Sequence, residues 1–274
     1  MADPVLLQAD GPVRCTFDAG VAQITLDNPP LNVVNRRLTE ALGRTLEALA
    51  AEDAVRAVVV TGAGSRAFCA GSDIAEFQPW MQPGRIGPEK LSLQHAVFAR
   101  LDDFPKPTIA AIHGVAFGGG LEIAVCCDLI VADAQARFAL PEIRLGLFPS
   151  SGGPVRVARR IGEGRAKEMM FFGEPIDAPT ALAWGLANRV APSGLALDTA
   201  LSLARDLARG PALALALCKQ AIGLAFDGAK ASAIAAALPL SERVFTSAES
   251  QEGVRAFFAR TPPVFPNAML HSKE

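Results

Sequence analysis

The chain has 274 residues, half of them hydrophobic and a fifth charged, with a formal net charge of −2. That is an ordinary globular composition, long enough for one elaborate domain or a domain with an appendage. The balanced charge leaves no broad basic surface, which argues against nucleic acid or an anionic membrane as partner. Five cysteines (Cys15, Cys69, Cys126, Cys127, Cys218) without disulfide-framework or CxxC spacing indicate reduced thiols. The three histidines, His95, His113 and His271, are too dispersed to suggest a metal site.

In chain order, the opening MADPVLLQADGPVR has neither the basic start nor the apolar core of a signal peptide. Residues 13–17 and Val21–Leu26 predict a hairpin about Asp18-Ala19-Gly20. Leu38, Leu42, Leu46 and Leu49 recur at helical spacing, which predicts an amphipathic helix over 36–52. A strand is expected at 55–61, a helix at 89–102 and a strand at 107–112. GGGLEIAVCC then opens another helix, followed by a strand at 128–132. Strands alternating with helices imply an α/β architecture. The apolar stretch 107–127 contains His113, Glu122 and a cluster of glycines, poor material for a membrane span, so a cytoplasmic protein is expected.

Two stretches break the rhythm. QPWMQPGRIGPEK (78–90), with three prolines and two glycines, reads as a loop able to cover a site, with Trp80 and Met81 at hand to line it. From about residue 195 the strands stop, and helices are expected at 195–209, 212–226, 230–247 and 249–260. The chain therefore divides into an α/β core, 1–194, and a helical region, 195–274. The Ala-rich helices serve either subunit contact or a cap on the same core.

The segment AVVVTGAGSRAFCAGSDI contains two small-residue turns in succession. Gly62, Gly64 and Ala67 after a strand form GxGxxA, the opening of a dinucleotide site. Such a site needs a long helix next and an acid about 20 residues on; here another turn follows, then the Pro/Gly-rich loop. The glycines read better as a tight strand exit. In the second turn, Asp73 is placed to cap a helix starting at Ile74, with Glu76 completing a capping box. The Ser72 N–H then lies near a helix N-terminus, where free donors attract negative charge.

In GVAFGGGLEIAVCCD, three glycines let the backbone approach a ligand with no side chain intervening, and the Gly119 N–H is a second donor. Two such donors converging on one oxygen would form an oxyanion hole. Glu122, one turn along, shares a face with Gly119 amid apolar neighbours, where a carboxylate without a partner is costly. Glu142, behind Pro141 in FALPEIRLGLFPSSGG, is a second acid in an apolar stretch.

These three segments together resemble the crotonase (enoyl-CoA hydratase/isomerase) superfamily, over essentially the whole chain. The resemblance implies an α/β spiral of ββα units with a C-terminal helical trimerisation region, assembled as a homotrimer or dimer of trimers. It implies an enoyl-CoA hydratase that adds water reversibly to a trans-2-enoyl-CoA. Glu122 and Glu142 fall on the acid–base carboxylates, and the N–H groups of Ser72 and Gly119 on the oxyanion donors. Ala70, Ser72, Asp73, Ile74, Ala75 and Gly119 fall on the CoA-thioester site. No metal and no cofactor beyond the substrate's own coenzyme A are implied.

The chain departs from the pattern at three points. Ser72 replaces a more usual alanine, Ala75 stands where many relatives carry a lysine, and tyrosine is absent. FALPE followed by PSSGG is similar to the carnitinyl-CoA dehydratase branch, so a dehydratase or isomerase of a polar acyl-CoA is the second reading. A silent acyl-CoA-binding scaffold is a third, disfavoured by the presence of both glutamates and the glycine turn. A serine hydrolase would need a G-x-S-x-G elbow that is lacking; His113 reads as structural.

Overall fold

The computed structural model describes residues 5–8, 11–226 and 228–265. Strands β1 (Val5–Gln8), β2 (Val13–Asp18), β3 (Val21–Leu26), β4 (Ala57–Gly62), β6 (Thr108–Ile112), β8 (Leu129–Asp133) and β11 (Arg189–Ala191) form one sheet in that order. β1–β2–β3 is an antiparallel meander, and every later pair in this sheet is parallel. A smaller sheet orders β10 (Ile176–Asp177), β9 (Arg137–Ala139), β7 (Val115–Phe117) and β5 (Ala67–Cys69). Strand β1 has no counterpart in the sequence reading, and three strands of the small sheet have only three residues each, too few for a period-2 pattern to show.

The central strands of the large sheet are buried on both faces, as parallel strands are. Their side chains alternate between two apolar clusters. Val58, Val60, Ala110, Ile112, Ile130 and Ala132 face the main core, while Val59, Ile109, Ala111 and Val131 face the other side. The main core is closed by α1 (Arg36–Ala51), whose Leu38, Leu42, Leu46 and Leu49 are all buried as their spacing requires. The opposite face is closed by α7 (Ala196–Ala208), which lays Ala200 and Ala204, one turn apart, against the strands. Small side chains let this helix approach closely.

Helix α2 (Ser92–Asp102) continues from a π-helical turn at Gly87–Leu91, so the predicted 89–102 helix joins two hydrogen-bonding patterns. The short α3 (Gly119–Ala124), α4 (Gly153–Ile161), α5 (Glu163–Phe172) and α6 (Ala178–Trp184) follow. Beyond α7 lie α8 (Ala212–Leu224), α9 (Lys230–Phe245) and α10 (Ala248–Ala259), matching the four helices expected after residue 195. Asp128 ties α8 to the sheet: it accepts from Thr108 Oγ1 at 2.9 Å and pairs with Lys219 at 2.9 Å. No described helix is long and apolar enough to cross a membrane.

The glycines at 62 and 64 are scaffolding. A side chain on Gly62 would begin 2.4 Å from the Phe68 carbonyl oxygen, so glycine lets β5 fold back over the end of β4. The turn belongs to the chain reversal, and the long helix of a dinucleotide site is replaced by β5.

Lys106 is a buried cation, 1% exposed, in the segment leading to β6. Its Nζ donates to the carbonyls of Leu49 and Glu52 at 2.8 and 2.6 Å, closing the C-terminal end of α1. Those carbonyls have no helical partner of their own. Replacing Lys106 by Met takes this donor from the Leu49 carbonyl, whereas the Glu52 carbonyl keeps the Val55 N–H at 3.0 Å. Urea unfolding of Lys106→Met should therefore show a loss of about 1–3 kcal/mol, the cost of one buried acceptor left unsatisfied, with an unchanged denaturant slope.

Candidate active site

The two turns singled out in the sequence lie face to face. Gly71–Ser72 follows β5 and Gly118–Gly119 follows β7, its neighbour in the small sheet. Gly71 Cα lies 3.6 Å from where a side chain would start on Gly118. The first turn is fixed from outside: Val34 N donates to Gly71 O, Asp73 N to Val34 O, and Ala70 N to Leu31 O. The Ser72 N–H has no hydrogen-bond acceptor among the described residues. Gly119 begins α3, so its N–H has no acceptor within the helix. A side chain on Gly119 would begin 3.2 Å from Ser72 Oγ and 3.5 Å from Ser72 N. Glycine lets the two turns pack this closely.

The helix expected after Asp73 is a single 3₁₀ turn, Ile74–Glu76. Asp73 does cap it, accepting from Ala75 N at 3.1 Å. The capping box does not form: the Glu76 carboxylate accepts instead from Arg36 N, at 3.2 Å, at the start of α1. The competing donor is remote in sequence, which local spacing does not reveal. A three-residue turn carries little macrodipole, so attraction for an anion here rests on the free N–H groups themselves. Ile74 and Ala75 are exposed on the outer side of this turn.

Glu122 is 3% exposed on α3. Its Oε1 accepts from the N–H groups of Ser151 (2.8 Å) and Gly153 (2.9 Å), in the loop that enters α4. Burial raises its pKa above the usual carboxylate value. Those two donors, together with the charges of Lys90 and Arg156, pull it back. The loop itself is pinned by α2: His95 Nε2 lies 2.5 Å from Ser150 O, and Ser151 Oγ donates to Gln94 Oε1 at 3.2 Å. Arg156, paired with Asp102 at 2.7 Å, adds a hydrogen bond to Ser151 O.

Glu142 sits at the start of a 3₁₀ turn, Glu142–Leu145, against the same glycine turn. Its Oε1 is 2.9 Å from where a side chain would start on Gly118, whose φ of +49° already favours glycine. Its Oε2 is buried without a hydrogen-bond partner. Burial pushes this carboxyl up to about 7, and the Glu122 charge adds to the rise. The two carboxylates occupy unlike environments: one is held by two loop donors, the other meets its own backbone N–H and leaves one oxygen without a partner.

The site therefore gathers Ser72, Gly119, Glu122 and Glu142 as the sequence predicts. Lys90, Gln94 and Ser151 also belong to it and were not singled out. Lys90 Nζ donates to Gln94 Oε1 at 2.7 Å and approaches Ser72 Oγ at 3.4 Å. It lies over the rings of Phe77 and Trp80, 5.3 and 5.8 Å from their centroids. Trp80 lines a small hollow with Lys90, Leu93 and Gln94, whereas Met81 is 74% exposed. Cys69, behind the Ser72 turn, is an inert thiol, pushed up to about 12 by burial. His113 Nε2 is buried without a partner.

Fold and site set two carboxylates in unlike surroundings beside a pair of backbone turns. The chain belongs to the enoyl-CoA hydratase/isomerase family, whose model matches residues 16–268. It is 38% identical over 180 residues to a probable enoyl-CoA hydratase of Bacillus subtilis, covering 64% of this chain and 67% of that one. It is 37% identical over 182 residues to the carnitinyl-CoA dehydratase of Proteus mirabilis, covering 65% and 67%. The solved structure of Pseudomonas aeruginosa DspI superposes with a TM-score of 0.90 at 34% identity, covering 95% and 98% of the two chains.

A buried carboxyl with one oxygen unpartnered costs stability once it ionises. With a folded pKa near 7 against an ordinary 4.5, the native state holds the extra proton between those values. The cost is absent below about pH 4.5, grows through the interval, and is complete above 7, at about 3 kcal/mol. Glu142→Gln should accordingly raise the melting temperature at pH 8 and change it little at pH 4.5, a comparison that thermal denaturation at the two pH values makes directly.

Proposed function

We propose that this protein is an enoyl-CoA hydratase, adding water reversibly across the 2,3 double bond of a trans-2-enoyl-CoA. The single observation that carries the reading is the unlike surroundings of the two carboxylates, one met by two loop N–H donors and the other with a buried unpartnered oxygen, beside free backbone donors. The substrate's thioester oxygen lies between the N–H groups of Ser72 and Gly119, along the turn Ala70–Ala75. Glu122, whose carboxylate form is favoured by the N–H groups of Ser151 and Gly153, takes a proton from water as that water attacks C3. Negative charge moves onto the thioester oxygen, where the two N–H groups stabilise it. Glu142, which burial pushes up to about 7 so that it keeps its proton below that pH, then gives the proton to C2. Dehydration is the same path reversed. No cofactor enters beyond the coenzyme A of the substrate.

Dehydration of a polar acyl-CoA is the second reading, supported by the likeness to a carnitinyl-CoA dehydratase. Assembly as a homotrimer or dimer of trimers belongs to the same proposal. Exposed apolar side chains on and beside α8–α10, among them Ile222, Phe226, Phe245 and Phe258, support it.

Purified protein incubated with crotonyl-CoA should bleach the ultraviolet absorbance of the conjugated thioester. Glu122→Gln and Glu142→Gln should each slow this by a factor of about 10² or more. Because Glu142 must be protonated to act as the acid, kcat for hydration should fall as pH rises through about 7. That limb should be missing from the residual activity of Glu142→Gln. Equal rates for wild type and both variants would remove the carboxylates from the chemistry.

A further inference from the structure

Two backbone donors are only part of what lies where the Ser72 and Gly119 turns meet. Ser72 Oγ packs against Gly119 more closely than Ser72 N does, 3.2 against 3.5 Å from where a Gly119 side chain would begin. Behind the hydroxyl stands Lys90, 3.4 Å away, with its other close contact to the buried amide of Gln94. Both contacts of the ammonium are with neutral oxygens. Phe77 and Trp80 flank it, and the Gln94–Ser151 hydrogen bond anchors it to the loop that holds Glu122.

Proton counting fixes the direction of the contact. An ammonium has three protons and no lone pair, so Lys90 donates and the Ser72 oxygen accepts. The hydroxyl's single proton is then left over for another acceptor. A donor bonded to the oxygen of a hydroxyl also makes that hydroxyl a stronger donor. Directed from beside Gly119 towards the thioester, the proton would meet the same oxygen that the Ser72 and Gly119 N–H groups would hold.

We infer that the Ser72 hydroxyl is a third oxyanion donor, and that Lys90 is a positioning residue that orients and polarises it. The inference rests on the thioester-binding reading above but not on hydration itself. It gives the serine at position 72 a task that alanine cannot perform, and gives the desolvated lysine a reason to be where it is.

The test uses the full chain as wild type, Ser72→Ala, Lys90→Met, Lys90→Arg and the Ser72→Ala/Lys90→Met double variant. Each is titrated with acetoacetyl-CoA, whose enolate absorbs in the near ultraviolet, and the pH of half-ionisation of the bound ligand is read. Loss of either partner should move that pH upward by about one unit. With crotonyl-CoA, kcat should fall at least about tenfold while KM changes by less than about twofold. The double variant should be no worse than Ser72→Ala alone, because Lys90 acts through the hydroxyl. Lys90→Arg, which keeps the charge, should recover part of the loss and guards against misfolding as the cause.

An unchanged half-ionisation pH in Ser72→Ala or Lys90→Met would overturn the inference, as would losses that multiply in the double variant. A wild type that ionises acetoacetyl-CoA yet leaves crotonyl-CoA intact would overturn the hydratase reading and leave this inference standing. A wild type that does not bind acetoacetyl-CoA overturns both.

Discussion

The site depends on holding one carboxylate by fixed donors in a dry place. Glu122 is almost fully buried; burial raises its pKa, and the N–H groups of Ser151 and Gly153, which meet one of its oxygens, oppose that rise. That requirement reaches outward. A side chain on Gly153 would begin 2.9 Å from the same oxygen, so the residue entering α4 must be glycine. The loop must be held still, which His95, Gln94 and Arg156 do from α2 and α4. Helix α3 can then be six residues long, since it has only to aim one side chain and present one N–H.

Glu142 follows the opposite logic with the same chemical group. It too is largely withdrawn from water, but no donor meets its Oε2, and the nearby negative charge of Glu122 works against its ionisation. A fixed pair of donors lowers the proton affinity of Glu122 against the rise that burial imposes on both carboxyls. On the proposed reading that difference assigns the roles, base to the donor-held carboxylate and acid to the other. The same burial makes Glu142 a cost to the fold at neutral pH, a local sacrifice of stability at a working site.

Much of this was legible in the chain because the governing patterns are local. The leucines of α1 repeat at one face of a helix, and the hairpin of β2 and β3 turns on a glycine. The three-glycine run before Glu122 needs no partner to be read as a close approach of backbone. What stayed hidden depends on contacts remote in sequence. The small sheet is assembled mostly from three-residue strands, each stabilised only by its neighbours, so no periodicity announces them. The capping box at Asp73 fails for a related reason: Glu76 finds the N–H of Arg36, forty residues away, and local spacing cannot weigh that competition. Ser151 and Gly153 lay in view within PSSGG, but only the fold shows that their N–H groups point at a carboxylate.

Lys90 is the sharpest instance. It ends a stretch rich in proline and glycine whose side chains, read in isolation, are loop decoration. The π-helical turn at Gly87–Leu91 carries it into the start of α2 and sets its side chain over two aromatic rings toward Ser72. A lysine so placed loses much of its hydration, and burial lowers its pKa accordingly, with Glu122 and Glu76 opposing the change. Those two carboxylates offset the desolvation only from a distance, since the close contacts are neutral. On the proposed reading, an enolate oxygen formed beside Ser72 adds a negative charge near this ammonium at the step where stabilisation lowers the barrier. Serine at position 72 and lysine at position 90 are on this view one feature, and a chain carrying alanine at the first position would have no use for the second.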